Sequence, residues 1–332
     1  MTPIDVLVLL PEGDPSADYF NRAISDAGLD FDVKLRYCAP ADAPMYVSHA
    51  EVVACGVLRD EALEEADRLS WIAYWSAGLD GKLSPQLLER NLLLTNASGV
   101  HGPNITEHVM AFMLMFTRRF DVHLRNQAAA VWDRQMPVDR PAAAELTGQT
   151  LAIVGYGRIG ACLAERARSF GMRVIAVKRD VTRHYSSQTA DLVDEVYSVA
   201  TLPKALAQAD HVCIAAPYTP ETHHLFDAEM IGKMRPDAYL YNIARGAIID
   251  EAALIEALQQ GRIAGAGLDV FENEPLAADS PLWHMPNVFI TPHVAGLTPY
   301  YFQRFAVQFA ENMKRYLRGE PLENVYDAEL GY

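Results

Sequence analysis

Three charged or titratable residues directly follow apolar runs in the second half of the chain. Arg245 lies in "NIARGAIID", Glu274 lies in "FENEP" beyond "AGAGLDV", and His293 lies in "TPHVAG" beyond "NVFI". Ligands of open parallel sheets bind outside the carboxyl ends of the strands, so side chains at these ends share one crevice. An arginine there is costly to desolvate unless it meets an anion. The three residues therefore predict a site that binds an anion and moves a proton.

Each of these residues also has an ordinary structural interpretation. An arginine after a strand is usually a surface salt-bridge residue, and a single histidine is usually structural. The coincidence of all three at strand ends of one predicted nucleotide domain favours chemistry. His223 and His224 are adjacent and are expected to point apart, so no metal site is predicted. We assign no chemistry to His101, His108 and His123, which flank or lie on one long apolar helix.

The glycine-rich stretch "GYGRIG" lies between an apolar strand and an amphipathic helix, and a second strand follows. This strand, turn, helix and strand context is typical of dinucleotide binding. The first glycine permits the tight turn, the second lets the backbone approach a pyrophosphate, and the third lets the helix pack closely. The helix N-terminus offers N–H groups and partial positive charge to the phosphates. The predicted cofactor contacts in this turn are Gly155, Tyr156, Gly157, Arg158, Ile159 and Gly160.

The strand "VIAVKRD" that follows ends in Lys178 and Arg179, where a carboxylate would normally bind the adenine ribose. An arginine binds a phosphate through a fork of donors. We therefore expect NADP(H) to be preferred, with NAD(H) as the second cofactor. Two alternatives stay open at this stage: a solvated charged loop, and Asp180 serving the ribose in a shifted register.

Short apolar runs alternate with helical stretches along most of the chain, which indicates parallel sheets covered by helices. The predicted fold class is α/β, with two doubly wound parallel-sheet domains: a Rossmann-type nucleotide domain and a flavodoxin-like substrate domain. Residues 1–99 and 296–332 are predicted to form a discontinuous substrate-binding domain, and residues 100–295 the dinucleotide-binding domain. The apolar helix 104–120 must bury more than one face. We expect a homodimer through residues 104–145.

Composition narrows the function classes. The chain has 332 residues, with 28 Lys and Arg against 43 Asp and Glu, a formal net charge of −15. This balance disfavours nucleic acid and anionic membranes as partners. The apolar run 4–10 lacks a basic flank and a small-residue cleavage site, so we expect a buried strand and not a signal peptide. The four cysteines lack paired spacing, which favours reduced thiols and a cytoplasmic location.

Four patterns in their order and spacing carry a family resemblance: "GYGRIG", "YNIARGAIIDEAAL", "GAGLDVFENEP" and "SPLWHMPNVFITPHVAG". The chain resembles the D-isomer-specific 2-hydroxyacid dehydrogenases from about residue 70 to 318. The resemblance implies that Arg245 binds the carboxylate and carbonyl of a 2-keto acid, that His293 is the general acid/base, and that Glu274 is its partner. It also implies further contacts. Ala77 and Gly78 would hold the substrate carboxylate through backbone amides, and the cofactor would meet Pro217, Thr219, Thr222, Ile243, Ala244 and Asp269.

The chemistry of keto-acid reduction suits these residue types. Hydride reaches the carbonyl carbon and a proton reaches the oxygen, so an acid that titrates near neutrality is required, which histidine provides. A neighbouring carboxylate favours the imidazolium and orients the ring. An arginine anchors the substrate carboxylate and stabilises the negative charge that develops on oxygen.

Other functions remain open on sequence alone. Formate oxidation is disfavoured because that branch resembles a pattern with glutamine at position 274. Phosphoglycerate oxidation requires additional cations near Gly78. A non-enzymatic dinucleotide-sensing, corepressor-like scaffold can retain the same three residues. Aromatic residues near the site either line a pocket for a branched or aromatic keto acid or pack between elements: Tyr74, Trp75, Trp283, Tyr300, Tyr301 and Phe302.

Overall fold

A computed structural model describes residues 2–79, 81–134, 145–181 and 191–328. The chain divides into two compact units, Met1–His101 with Thr298–Tyr332, and Gly102–Leu297. The first contains a five-stranded parallel sheet and the second a seven-stranded parallel sheet. The predicted fold class of two parallel-sheet α/β domains is confirmed.

The first unit has the strand order β2-β1-β3-β4-β5, the doubly wound order of flavodoxin-like folds. Its middle strands have no polar alternation because both faces are covered, and all four residues of β3 and of β4 are buried. The strands are β1 (Ile4–Val8), β2 (Val33–Tyr37), β3 (Val52–Cys55), β4 (Trp71–Tyr74) and β5 (Leu93–Thr95). The helices between them are α1 (Ala17–Asp26), α2 (Ala43–Tyr46), α3 (Asp60–Glu64) and α4 (Pro85–Glu89).

The second unit has the strand order β12-β11-β10-β9-β6-β7-β8, in which the order reverses between β6 and β9. Nucleotides bind at such a switch point in doubly wound sheets. The strands are β6 (Thr150–Val154), β7 (Arg173–Lys178), β8 (Glu195–Ser198), β9 (His211–Ile214), β10 (Tyr239–Asn242), β11 (Gly265–Leu268) and β12 (Val288–Ile290). The helices are α5 (Gly102–Thr117), α6 (Phe120–Ala128), α7 (Arg158–Ser169), α8 (Leu202–Leu206), α9 (Ala228–Ile231) and α10 (Glu251–Gln259).

The apolar helix predicted for residues 104–120 ends at Thr117, and a second helix begins at Phe120. The prediction of one helix to residue 120 is wrong because Arg119 adopts a left-handed backbone with φ of 57°. The guanidinium of Arg119 donates to both carboxylate oxygens of Asp121 at 3.0 Å, and both residues are buried. This local ion pair stabilises the break between α5 and α6.

α5 packs directly on the nucleotide sheet. A methyl group on Gly267 of β11 would lie 2.8 Å from the ring of Phe112, so glycine at this position allows the close approach. The last helix, α11 (Tyr301–Leu317), packs on the first unit, where the ring of Phe309 stacks on Trp71 at a centroid distance of 5.3 Å. Within the described ranges, no helix has both the length and the apolarity needed to cross a bilayer.

Candidate active site

The glycine-rich turn joins β6 to α7 at the switch point of the second sheet. Gly155 has φ of 98°, and a methyl group there would lie 2.3 Å from the backbone nitrogen of Ala216. No residue with a side chain fits, because the segments that follow β6 and β9 approach each other closely at this point. Gly157 precedes α7, and a methyl group on it would meet no atom within 4 Å. The turn therefore offers an open backbone surface beside a helix N-terminus, which fits the pyrophosphate of a dinucleotide.

Lys178 ends β7, the strand beside the glycine turn. Its Nζ lies 6.0 Å from the ring centroid of Tyr156, within the range of a cation–π contact. Arg179 is exposed, and its charge affects a residue in the loop that follows β9. The pKa of Glu221 is lowered chiefly by a hydrogen bond with Thr219, and the charge of Arg179 contributes to the same shift. The cationic end of β7 and the loop after β9 are therefore close enough to interact.

The loop after β9 is ordered by its own threonines. The backbone N–H of Thr219 donates to Thr222 Oγ1 at 2.7 Å, and that hydroxyl donates to the carbonyl of Pro217 at 2.9 Å. Thr222 thus shapes the loop that was predicted to contact the cofactor.

The expectation that His223 and His224 point apart is wrong. Their rings stack at a centroid distance of 3.9 Å because His224 has a left-handed backbone, with φ of 49°. His224 Nε2 also pairs with Glu272 at 2.8 Å.

Arg245 lies in a tight turn after β10, and the side chain of buried Asn242 stabilises this turn. Asn242 Nδ2 donates to the carbonyl of Arg245 at 2.9 Å, and its Oδ1 accepts from the N–H of Ala244 at 3.0 Å. The next residue is Gly246, where a methyl group would lie 1.8 Å from the carbonyl carbon of Phe271. Two loops meet backbone to backbone here, and the close contact holds Arg245 beside the loop of Glu274.

His293 and Glu274 form a direct pair. His293 Nδ1 lies 2.7 Å from Glu274 Oε2, and the other carboxylate oxygen accepts from the N–H of Phe271 at 3.1 Å. Both side chains are partly exposed, 49% for the histidine and 37% for the glutamate. His293 has a left-handed backbone, with φ of 55°. The pair is therefore anchored by the backbone on one side and accessible on the other.

Asp269 follows β11 and is 1% exposed. Its Oδ1 accepts from Thr291 Oγ1 at 2.6 Å and from the N–H of Val294 at 2.9 Å, and its Oδ2 accepts from the N–H of Ala295 at 2.9 Å. The N–H of His293 donates to the Asp269 carbonyl at 2.8 Å. Asp269 was predicted to contact the nicotinamide, and these hydrogen bonds show that its carboxylate holds the loop that carries His293.

Ala77 and Gly78 lie in the first unit, just after β4. Both are partly exposed, and neither backbone N–H donates a hydrogen bond within the described part of the chain. Of the nearby aromatic residues, Tyr74 is fully buried and Trp75 packs edge-on against Phe302 at 5.4 Å. Tyr74 therefore belongs to the core of the first unit, and Trp75 is partly buried against that core.

The structure brings Glu274 and His293 into contact and places Arg245 on the adjoining loop. The same carboxyl edge of the sheet also contains the glycine turn, Lys178, Arg179 and the loop 215–222. Sequence reasoning missed Asn242, whose signal is a polar residue that closes an apolar strand. It also missed the structural part that Asp269 plays beneath His293.

Residues 110–295 match the family model described as "D-isomer specific 2-hydroxyacid dehydrogenase, NAD binding domain". A glyoxylate reductase of Thermofilum pendens is 36% identical over 260 residues, which cover 78% of this chain and 75% of that protein. Glyoxylate/hydroxypyruvate reductase B of Pectobacterium carotovorum is 35% identical over 291 residues, with 87% and 89% covered. The structure of an NADPH-dependent glyoxylate/hydroxypyruvate reductase from Sinorhizobium meliloti, in complex with NADP and sulfate, is similar with a TM-score of 0.79. It is 26% identical, with 99% of this chain and 100% of that chain covered.

These matches span both units and agree with the two parallel-sheet domains of the fold. The chain therefore belongs to the D-isomer-specific 2-hydroxyacid dehydrogenase family, and it is an NAD(P)-dependent 2-hydroxyacid dehydrogenase.

Proposed function

We propose that this enzyme reduces a small 2-keto acid to a D-2-hydroxy acid with NADPH, and that His293 is its general acid/base. The observation that carries the proposal is the 2.7 Å contact between His293 Nδ1 and Glu274 Oε2 at the carboxyl edge of the nucleotide sheet. We assign the second unit to the dinucleotide and the first unit to the substrate, with the backbone N–H groups of Ala77 and Gly78 donating hydrogen bonds to the substrate carboxylate.

We propose the following roles from the residue types and from the contact between His293 and Glu274. The reduced nicotinamide supplies a hydride to the carbonyl carbon when it is bound. Glu274 accepts from His293 Nδ1–H, so Nε2 is the nitrogen that delivers a proton to the carbonyl oxygen. Arg245 binds the substrate carboxylate and stabilises the charge that develops on oxygen. The reverse reaction uses the same groups, with His293 as the base.

Small substrates are favoured over aromatic ones. Tyr74 is fully buried in the first unit and Trp75 packs against Phe302 there, so both rings contribute to packing and Tyr74 lines no pocket. All three relatives named above are described as glyoxylate or glyoxylate/hydroxypyruvate reductases. We therefore propose glyoxylate and hydroxypyruvate as substrates.

The substrate proposal is tested by following the loss of NADPH absorbance with 2-keto acids of graded side-chain size. We expect the highest kcat/KM with glyoxylate or hydroxypyruvate. Enantioselective chromatography of the hydroxypyruvate product should show the D isomer. A preference for phenylpyruvate, or an L product, would contradict the proposal.

The preference for NADP(H) rests on Lys178 and Arg179. Both are at the carboxyl end of β7, and Lys178 occupies the position at which a carboxylate would repel a 2′-phosphate. The Sinorhizobium meliloti relative is described as NADPH-dependent and was solved with NADP. Cationic side chains in this position bind a phosphate by charge-assisted hydrogen bonds.

Kinetics with both cofactors test this preference. One charge-assisted hydrogen bond is worth about 1.5 to 3 kcal/mol, so Lys178→Ala or Arg179→Ala should raise the KM for NADPH roughly 10- to 100-fold. The KM for NADH should change little. Lys233→Ala, at an exposed lysine on the surface after α9, is the matched control. A wild-type enzyme with a higher kcat/KM for NADH would refute the assignment.

We also propose a homodimer formed through the region of α5 and α6. The support is a set of exposed apolar side chains on and after α6: Phe120, Leu124, Val131 and Trp132. Apolar surface of this kind marks association sites, and a second copy of the chain is the partner that we propose. The predicted interface extends to residue 145, and residues 135–144 lie outside the described ranges. All four cysteines are free thiols, which supports the cytoplasmic location that we propose.

A further inference from the structure

α5 contacts the loop that carries His293, residues 291–295, at two points. Asn104 and His108 are four residues apart, so they project from one face of the helix. Asn104 Nδ2 donates to the carbonyl of Ala295 at 2.7 Å, and His108 Nε2 lies 2.9 Å from Thr291 Oγ1. The two contacted residues, Thr291 and Ala295, lie on either side of His293 in the sequence.

The direction of the hydrogen bonds is fixed by the number of protons. Thr291 has one hydroxyl hydrogen, and it donates this hydrogen to Asp269 Oδ1 at 2.6 Å. Thr291 Oγ1 must then accept from His108, so Nε2 of His108 carries a proton. The result is a chain of donors from His108 to Thr291 to the carboxylate of Asp269, which in turn accepts from the loop backbone.

The hydrogen-bonded side chains of His108, Thr291 and Asp269 are here called the relay. Their surroundings favour one fixed arrangement of these hydrogen bonds. The Asp269 side chain is 2% exposed and the His108 side chain 21% exposed. Burial lowers the pKa of His108, while the charge of Asp269 acts in the opposite direction. A neutral ring with its proton on Nε2 satisfies the hydrogen bond to Thr291 without an added buried charge.

The backbone of His293 has a conformation that surrounding contacts must stabilise. Its φ of 55° is unfavourable for a residue with a side chain, and such a conformation persists only where surrounding contacts determine it. The contacts that do so are the hydrogen bonds of Asp269 and the two contacts from α5. Without them the loop is free to relax, and the His293 ring would leave Glu274.

We infer that His108 is a positioning residue of this enzyme, which acts through Thr291 and Asp269 to fix the loop that carries His293. This inference rests on the proposed role of His293 as the acid/base. It assigns a function to a histidine in an apolar helix for which no chemistry was predicted from the sequence.

The test uses two pairs of variants in the full-length enzyme. His108→Leu removes the donor, and His108→Gln restores an N–H donor on a side chain of similar reach. Thr291→Val removes the hydroxyl at constant shape, and Thr291→Ser restores it. The matched control is Thr117→Val on the same helix, because the Thr117 hydroxyl donates only to Met113 O within α5, at 2.7 Å.

Two readouts separate positioning from simple stability. We expect kcat with glyoxylate and NADPH to fall roughly 10- to 100-fold in His108→Leu and in Thr291→Val, as for a misplaced catalytic group. The dissociation constant for NADPH should stay within about twofold, and the Gln and Ser variants should recover most of kcat. In the cofactor-free protein, hydrogen exchange at the amides of Val294 and Ala295 should accelerate in the Leu and Val variants but not in Thr117→Val.

The inference is overturned if the Leu and Val variants keep kcat within about twofold of wild type, if the Gln and Ser variants recover nothing, or if exchange at residues 294 and 295 is unchanged. His293→Asn, assayed in parallel, separates this failure from failure of the proposed function. If His293→Asn is active, the acid/base assignment is wrong. If His293→Asn is inactive while His108→Leu and Thr291→Val are active, the acid/base assignment is retained and the positioning role of His108 is rejected.

Discussion

Replacing Asp269 with asparagine tests how the loop that carries His293, residues 291–295, is held. In the wild type, both carboxylate oxygens are acceptors for the backbone and side chain of residues 291–295. The Asn side chain has the same shape, but one of its two positions is an NH₂ donor. If the NH₂ takes the place of Oδ2, it faces the N–H of Ala295. If it takes the place of Oδ1, it faces the N–H of Val294. Either orientation places two donors together.

The expected magnitude follows from the lost hydrogen bond. A hydrogen bond to a charged group contributes about 1.5 to 3 kcal/mol, and the bond in Asp269→Asn is lost within a site that excludes water. The unit from Gly102 to Leu297 contains the change. For a unit of this size, about 1 kcal/mol shifts Tm by roughly 2 to 4 °C, so we expect Tm to fall by about 3 to 12 °C. The loop also loses its anchor, so kcat should fall roughly 10- to 100-fold.

Differential scanning calorimetry and steady-state kinetics on the same preparations measure both effects. Asp250→Asn is the matched control, because the Asp250 side chain accepts the N–H of Ala253 at the start of α10 and asparagine caps helices as well as aspartate does. The control should match wild type in both measurements. The argument is refuted if Asp269→Asn melts within about 1 °C of wild type and retains its kcat.

Three further outcomes are expected. Burial lowers the pKa of His211 to about 3, whereas an exposed histidine has a pKa of about 6.5. Between pH 3 and about pH 6.5 the unfolded chain therefore binds one more proton at this residue than the folded chain does. The free energy of unfolding should therefore decrease as pH falls from 6.5, by about 2 kcal/mol at pH 5, and urea titrations of His211→Gln should lack this loss. Gly246→Ala should lower kcat at least about tenfold, because its new methyl group would collide with the backbone of Phe271, and steady-state kinetics with unchanged activity would contradict that contact. Trp132→Glu should convert the proposed dimer to monomers in sedimentation velocity, because the indole is 92% exposed in the single chain, and an unaltered dimer would contradict the interface.

The elements that sequence reasoning predicted are those whose pattern is local. β6, β9 and β10 are continuous apolar runs because their faces are covered, and such runs are visible without a structure. β8 was not predicted because it is an edge strand, with only half-buried and exposed residues. The break at Arg119 was also missed, because it depends on a buried ion pair inside an otherwise helical pattern.

In the candidate site, too, features with a local pattern were predicted and contacts between distant residues were not. Arg245, Glu274 and His293 were predicted from strand ends, and the pairing of the last two is visible in the structure. The relay from His108 was not predicted, because its partner Thr291 is 183 residues away and only folding brings them together. A polar residue in an apolar helix was the one signal, and no partner for it could be predicted from the sequence.

The measurement that tests the central claim most directly is the kcat of His293→Asn with glyoxylate and NADPH, beside His224→Asn. Asparagine tolerates the left-handed backbone that both histidines adopt, and His224 pairs with Glu272 as His293 pairs with Glu274, so the two changes are matched. We predict that kcat falls by about 10² to 10⁴ in His293→Asn and is retained in His224→Asn. An active His293→Asn enzyme with unchanged binding of NADPH would contradict the account.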